Sequence, residues 1–307
     1  MDPKTFYDVV IVGGGPAGLT AGLYLARARY RVVIVEQDHF GGQVTITHQV
    51  VNYPGVAQAS GAELTETMRR QAQSFGAEFL LAQVTGLDLT GDVKTVRTTR
   101  GALSCFGVLW ATGAHPRKVG FAGEAAFQGR GVAYCATCDG NFFRDKEVMV
   151  VGGGNTAAGD AIYLSRICKK VYLVHRRDKL RATAIYHKRL EDLPNLEFVW
   201  NAVPRKLVAD EGKLAGVRLE MLETGEERDI AVDGLFVAVG TEPNTEFLGG
   251  ALQCDETGYI VADESCATEV PGVFAAGDVR TKFLHQVVTA VSDGAVCAEE
   301  AAEYLAI

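Results

Sequence analysis

Long apolar runs are missing from this 307-residue sequence. Its uninterrupted apolar stretches are short, as at residues 32–35 and 148–151, against the roughly 20 residues that a bilayer-spanning helix needs. No membrane span is expected. Basic residues are also scarce, with 30 Lys and Arg against 38 Asp and Glu and a net charge of −8. Neutralising phosphates takes an excess of cationic side chains, so neither nucleic acid nor an anionic membrane surface is expected as a partner. The start, MDPKTFYDVVIVGGG, has no charged region leading into an apolar signal core and runs almost directly into an apolar strand. A cytoplasmic location is the expectation that follows.

Cysteines are few and unpaired, with one exception. Of seven, only Cys135 and Cys138 lie close together, which excludes a disulfide scaffold. Cys105, Cys168, Cys254, Cys266 and Cys297 stand alone, mostly among apolar or small residues, the setting of buried structural thiols. No second CxxC and no HxxxH accompanies the pair, so zinc lacks the four ligands of a structural site. Two cysteines separated by two residues can instead close a disulfide within one turn, and at a helix start such a pair has a depressed thiol pKa and exchanges readily.

What the chain does have is an internal repeat. DVVIVGGGPAG, from Asp8, aligns with EVMVVGGGNTA, from Glu147, at an offset of 139 residues (152 minus 13 for the first glycines), with Tyr7 just ahead of it. Tyr24, Leu25 and Arg27 match Tyr163, Leu164 and Arg166, and VVIVE at Val32 matches VYLVH at Val171. Each copy reads as a buried strand, a glycine turn, a helix of about a dozen residues and a second apolar strand, the opening βαβ of a Rossmann fold. In the first copy Gly13 makes the tight turn, Gly15 lets the backbone approach a pyrophosphate, and Gly18 allows close helix packing. Gly152, Gly154 and Ala157 take these roles in the second.

The ends of the second strands differ. Glu36 supplies a carboxylate suited to the ribose hydroxyls of an unphosphorylated adenosine, so FAD or NAD fits there. The second copy runs His175-Arg176-Arg177-Asp178-Lys179-Leu180-Arg181, where guanidinium forks suit a 2′-phosphate and favour NADPH over NADH. The plain alternative is a solvated charged loop. Near the C-terminus GVFAAGD, from Gly272, reads as a short strand ending in Asp278, a carboxylate that can hold a sugar-alcohol hydroxyl or simply belong to a core strand. Gln286 and a helix-like run from Val287 follow.

Taken together, GGGPAG at Gly13, GGQ at Gly41, NYPG at Asn52, ATG at Ala111, CATCDG at Cys135, GGGNTA at Gly152, HRRDKLRA at His175, VGTEPNT at Val239 and GVFAAGD at Gly272 resemble the low-molecular-weight, bacterial-type thioredoxin reductases over essentially the whole chain. The resemblance implies an α/β fold of two Rossmann-like, three-layer ββα dinucleotide-binding domains, the second inserted into the first. An FAD domain would take residues 1–114 and 243–307, and an NADPH domain carrying the CxxC would take residues 115–242. Flavin contacts are assigned to Gly13, Gly15, Pro16, Ala17, Gly18, Glu36, Gly42, Gln43, Asn52, Asp278, Gln286 and Val287. Those to NADPH fall on Gly152, Gly154, Asn155, Thr156, Ala157, His175, Arg176, Arg177 and Arg181.

By the same resemblance Cys138 faces the flavin, Cys135 attacks the substrate disulfide, and Asp139 is the acid/base, a role that needs its pKa raised above about 3.9. The implied activity is NADPH-dependent thioredoxin-disulfide reduction by a homodimer that docks thioredoxin transiently. Because nicotinamide and dithiol would then compete for one flavin, a swivel is expected about Gly113-Ala114-His115-Pro116 and Gly240-Thr241-Glu242-Pro243. Two departures stand out. The family's Val-Glu-Glu after GGGNTA is here Ala158-Gly159-Asp160, and its Arg-Gln beside the flavin is His285-Gln286. Gly159 costs the helix about 1 kcal/mol relative to alanine, while His285 either packs or makes the flavin chemistry pH dependent.

Alternative readings are a relative fed by ferredoxin or another carrier, a small-molecule dithiol oxidase, and a nucleotide-binding module with a sensor disulfide. A peroxiredoxin-linked reductase would carry an added thioredoxin-like module before Tyr7, which is not expected here.

Overall fold

The structure, a computed structural model, describes residues 5–306. Residues 1–4, on which the expectation of an absent leader partly rests, and residue 307 lie outside the described residues. The chain divides into two compact units, Met1–His115 with Glu242–Ile307, and Pro116–Thr241.

In chain order the first unit contains β1 (Phe6–Val12), α1 (Pro16–Arg27), β2 (Val32–Glu36), α2 (Gly61–Ser74), β3 (Glu78–Leu81), β4 (Val84–Asp88), β5 (Lys94–Thr98) and β6 (Gly101–Trp110). The chain leaves it through β7 (Ala114–Pro116). The inserted unit contains β8 (Val132–Ala133), α3 (Ala136–Asp139), β9 (Glu147–Val151), α4 (Asn155–Ser165), β10 (Lys170–Val174), α5 (Ala184–Glu191), β11 (Leu196–Val199), β12 (Ala202–Asp210), β13 (Lys213–Met221), β14 (Glu227–Ala231) and β15 (Gly234–Val237). Return is through β16 (Thr241–Pro243), after which β17 (Val273–Ala275) and α6 (Val287–Leu305) complete the first unit.

The first unit's sheet runs β3-β2-β1-β6-β5-β4, with β17 against β6. Its β1, β2, β3, β6 and β17 pairings are parallel, while β4, β5 and β6 form an antiparallel meander. The inserted unit has a parallel sheet, β11-β10-β9-β15-β8, and an antiparallel one, β12-β13-β14.

Strand periodicity explains the layering. Alternate residues of a strand point to opposite faces, so Val9 and Ile11 of β1 join a core with helix residues such as Leu19, Leu25 and Ala298. Val10 and Val12 join a second core with Val84, Val96 and Leu103 of the meander. In β9, Val148 and Val150 face the helix side with Ala157 and Leu164, and Met149 and Val151 face Leu207, Val217 and Ile230 of the antiparallel sheet. Burial on both faces is why these strands read as continuous apolar runs rather than alternating ones.

The crossings pair with each other, β7 with β16. Gly113 (φ +68°) and Gly240 (φ +109°) take left-handed backbone beside them, which glycine adopts without a Cβ clash. On the first unit's side Asn244 donates its N–H to Gly113 O at 2.9 Å and its side chain to Thr112 O at 2.7 Å.

Candidate functional site

The two repeat helices begin without a side-chain cap, at Gly15 for α1 and Gly154 for α4, whereas α2 has a full capping box from Ser60 and Glu63. Uncapped helix starts leave backbone N–H groups for an anion. Pro16 begins α1, where its missing N–H costs nothing.

Sterics in the first turn separate two kinds of glycine. A Cβ on Gly13 would lie 2.2 Å from Ala111 O, and one on Gly18 would lie 2.0 Å from Gly13 O. Gly15 has only Gly42 Cα within reach, at 3.9 Å, so open space remains where a pyrophosphate would approach. Glu36, at the end of β2, accepts a hydrogen bond from Gly14 N at 2.8 Å through one oxygen, and from the N–H groups of Gln37 and Asp38 through the other. Beside it is a cavity of about 70 Å³ lined by residues that include Val12, Gly13, Glu36, Trp110 and Thr112, and the buried Trp110 Nε1 has no partner.

Elements distant in sequence complete this unit's site. Asp278 follows β17, and its buried Oδ1 has no hydrogen-bond partner; burial raises its pKa. The turn beneath it is held by Asp293 of α6, which accepts from Gly277 N at 2.8 Å and pairs with Arg280 and Lys282. Asn52 donates to Gln286 Oε1 at 3.1 Å across 234 residues, and Val287 opens α6. Gln43 is exposed at the start of a short 3₁₀ turn, and Gly42 has φ +67°, with any Cβ meeting Gly15 Cα at 3.1 Å. His285 stacks on Tyr259, ring centroids 5.4 Å apart, and its buried Nε2 has no partner.

In the inserted unit Gly152 is crowded, with Ala238 O at 2.3 Å from a built Cβ, while Gly154 has nothing within 4 Å. The loop carrying the arginines folds back over this turn: Arg181 and Ala182 donate their N–H groups to Gly153 O at 2.7 and 3.0 Å, and Thr183 N–H donates to Asn155 Oδ1 at 2.9 Å. Arg176, Arg177 and Arg181 are exposed. His175 is not on that surface. Its ring is buried over Gly153, where a Cβ would meet Cε1 at 2.2 Å. Burial first, then the charges of Arg181, Arg177 and Arg176, lower its pKa and keep it neutral. Thr156 is exposed on the first turn of α4, and Ala157 is buried.

Cys135 and Cys138 form a disulfide, with Cα atoms 5.3 Å apart. Cys135 is the N-cap of α3 and its Sγ accepts from Cys138 N at 3.2 Å. The adjacent Asp139 is half-buried, and burial pushes its carboxyl up to about 6. The other cysteines are free; Cys105, Cys168, Cys266 and Cys297 are buried, but Cys254 is exposed, against the reading of a buried thiol. Burial pushes the Cys105 thiol up to about 12 and that of Cys168 up to about 11, away from nucleophilic use.

Three features were missed from the sequence. Asp160 on α4 is pushed up to about 7 by burial, Asp293 anchors the Gly277 turn, and Glu124 holds Tyr134 beside the dithiol. No local spacing marks an acid as buried, so none of the three carried a signal beyond its residue type. Among the described residues no group of three or more His, Cys, Asp or Glu could hold a metal, and no helix is long and apolar enough to cross a membrane.

Two glycine turns with uncapped helices, each at the end of a parallel strand, and one redox disulfide define a dinucleotide-dependent disulfide oxidoreductase. The sequence matches the pyridine nucleotide-disulphide oxidoreductase family over residues 7–294. It is 43% identical over 309 aligned positions to a thioredoxin reductase of Peptoclostridium acidaminophilum, covering 98% of each chain. It is 45% identical to one of Treponema pallidum, again with 98% of each covered. The crystal structure of thioredoxin reductase from Streptococcus pyogenes superposes with a TM-score of 0.94 at 41% identity, covering 98% of this chain and 99% of that one. The chain therefore belongs to the pyridine nucleotide-disulphide oxidoreductases and, within them, to the thioredoxin reductase family. Membership implies a flavin and a pyridine nucleotide. The open space at Gly15 and Gly154 and the partnerless Asp278 Oδ1 fit such groups.

Proposed function

We propose that this oxidoreductase is a thioredoxin-disulfide reductase, passing two electrons from NADPH through FAD to the Cys135–Cys138 disulfide and on to the disulfide of thioredoxin. One NADPH and one proton are consumed for each thioredoxin disulfide opened to two thiols. The observation that carries the reading is the Cys135–Cys138 disulfide beside Asp139, a carboxyl whose raised pKa lets it give and take a proton near neutrality.

In this reading bound flavin supplies the two-electron step between hydride and thiol chemistry. The chain does the rest. Gly13, Gly15 and Gly18, with Pro16 and Ala17, shape the turn for the FAD pyrophosphate, and Glu36 takes the adenosine ribose. Asp278, whose Oδ1 has no partner within the chain, would take a hydroxyl of the flavin's sugar-alcohol chain, and Gly42, Gln43, Asn52, Gln286 and Val287 would line the remainder. In the inserted unit Gly152, Gly154, Asn155, Thr156 and Ala157 receive the NADPH pyrophosphate. Arg176, Arg177 and Arg181 meet the 2′-phosphate, their loop being held on the turn through Gly153 O, and His175 underpins the turn. Cys138 would be the sulfur beside the bound flavin, Cys135 the one that attacks the thioredoxin disulfide, and Asp139 the group that manages their protons. The glycine-flanked crossings at β7 and β16 are the hinge. A homodimer and a cytoplasmic location belong to the same reading, on family resemblance.

The test is an anaerobic titration of the flavin-loaded protein with NADPH and separately with NADH, followed by thioredoxin turnover. Bleaching by NADPH with turnover supports the proposal. Bleaching without thioredoxin turnover turns it toward another disulfide substrate, and failure of both nucleotides toward another electron donor or a small-molecule dithiol oxidase.

A further inference from the structure

The residue before the dithiol is held by a buried carboxylate that the reaction above leaves unused. Glu124 is 3% exposed. It accepts three hydrogen bonds, from Val119 N at 3.1 Å, Gly120 N at 2.6 Å and the Tyr134 hydroxyl at 2.9 Å. A buried carboxylate is tolerated where donors meet its charge, and here the donors come from two separate stretches. Val119 and Gly120 lie on the loop that follows β7. Tyr134 follows β8, whose two residues pair with Leu235 and Phe236 of β15 at the edge of the sheet. Burial first, and then the bond to Glu124 and its charge, raise the Tyr134 pKa, so the phenol remains a donor throughout the neutral range.

Tyr134 is joined directly to Cys135. Besides accepting from Cys138 N at 3.2 Å, the Cys135 Sγ lies 3.4 Å from Thr137 Oγ1. Donors aimed at a sulfur stabilise its thiolate and lower its pKa, provided the sulfur is held within reach. While the disulfide is closed, the S–S bond does that holding. Once two electrons and two protons have opened it to two thiols, and Cys135 has released its proton to solvent, that restraint is gone and the backbone on either side helps to keep the thiolate on its donors.

We propose that the Tyr134–Glu124 bond is a positioning device that anchors the backbone of Cys135 and keeps its thiolate on the Cys138 N–H and the Thr137 hydroxyl after reduction. The inference rests on the reading of Cys135 as the attacking sulfur. Tyr134 and Glu124 touch no reacting atom, and they act through Cys135.

The experiment takes FAD-loaded protein reduced with dithiothreitol, freed of reductant without oxygen, and measures the iodoacetamide alkylation rate of Cys135 against pH, with peptide mass spectrometry assigning the sulfur. Tyr134→Phe is expected to raise the midpoint of the profile by about half a unit, which is about a threefold smaller thiolate fraction below the midpoint. Glu124→Gln is expected to shift it in the same direction, and the double variant no further than the larger single shift, because both act through one bond. An unshifted midpoint in either folded variant, or additive shifts, would overturn the proposal. A merely structural role lowers the thermal midpoint and leaves the alkylation profile in place. The assay needs neither NADPH nor thioredoxin. A wild-type protein that fails to reduce thioredoxin yet shifts on Tyr134→Phe would therefore discard the functional reading and keep the positioning role.

Discussion

The turns at residues 13–18 and 152–157 share a spacing, an uncapped helix and one open glycine, and they part at the end of the following strand. Glu36 and His175 occupy matching places, 139 residues apart (175 minus 36), and each reaches back to the middle glycine of its own turn. Glu36 does so with a charge-assisted hydrogen bond to Gly14 N. His175 does so by packing its neutral ring on Gly153. A carboxylate thus marks the first turn, while the second is flanked by three exposed guanidinium groups. The glycine spacing makes a turn suited to a pyrophosphate, and under the proposed function the strand-end residues would set which nucleotide completes it.

That comparison is broken most completely from outside both turns. Cys138→Ser is expected to lower thioredoxin reduction by at least about 10³-fold while NADPH still bleaches the flavin in an anaerobic titration. Loss of bleaching as well would mean that the dithiol and the nucleotide turns are not separable. Next in size is Asp139→Asn. Burial raises the carboxyl to about 6, so in the wild type it keeps its proton below that pH and loses it above. As a proton donor it should give single-turnover thioredoxin reduction a limb that descends through pH 6, and the asparagine variant should lose the limb and about 10²-fold of the rate at low pH.

Arg177→Ala with Arg181→Ala sharpens the contrast between the turns. Both guanidinium groups are exposed, where a contact to a charge is worth about 1 kcal/mol, so losing the two should lower the NADPH-to-NADH ratio of kcat/KM by about 30-fold, with FAD affinity unchanged. Equal losses with both nucleotides would return the cluster to a solvated loop. The smallest effect is expected at Gly154→Ala, which meets nothing within 4 Å. Its melting temperature should match the wild type while the KM for NADPH rises a few-fold. Gly152→Ala, 2.3 Å from Ala238 O, should instead melt earlier, and equal melting of the two would remove the distinction between crowded and open glycines.

Much of this was legible beforehand because the informative signals are local. Strands buried on both faces must be apolar throughout, and a strand-to-helix turn facing a pyrophosphate needs glycine at set places, so β1, α1 and β2 and their repeat β9, α4 and β10 could be read directly. The CxxC is local as well. Illegible features depend on pairs far apart in the chain. Asn52 meets Gln286, and Asp293 meets Gly277, Arg280 and Lys282, yet neither pair follows a spacing rule. Cys254 shows the converse: like Cys266 it has acidic residues within three positions, yet the fold buries Cys266 and leaves Cys254 exposed.

The sequence by itself determined the repeated βαβ units, the residues that distinguish their strand ends, and the dithiol between them, because backbone geometry and residue chemistry act over a few positions. Tertiary structure alone decided that His175 lies beneath its turn rather than on the arginine surface, that Asp278 keeps an open oxygen, and that Glu124 ties Tyr134 to an incoming loop. Burial and hydrogen-bond partnership are set by which distant segments pack together, and no short stretch of chain contains that information.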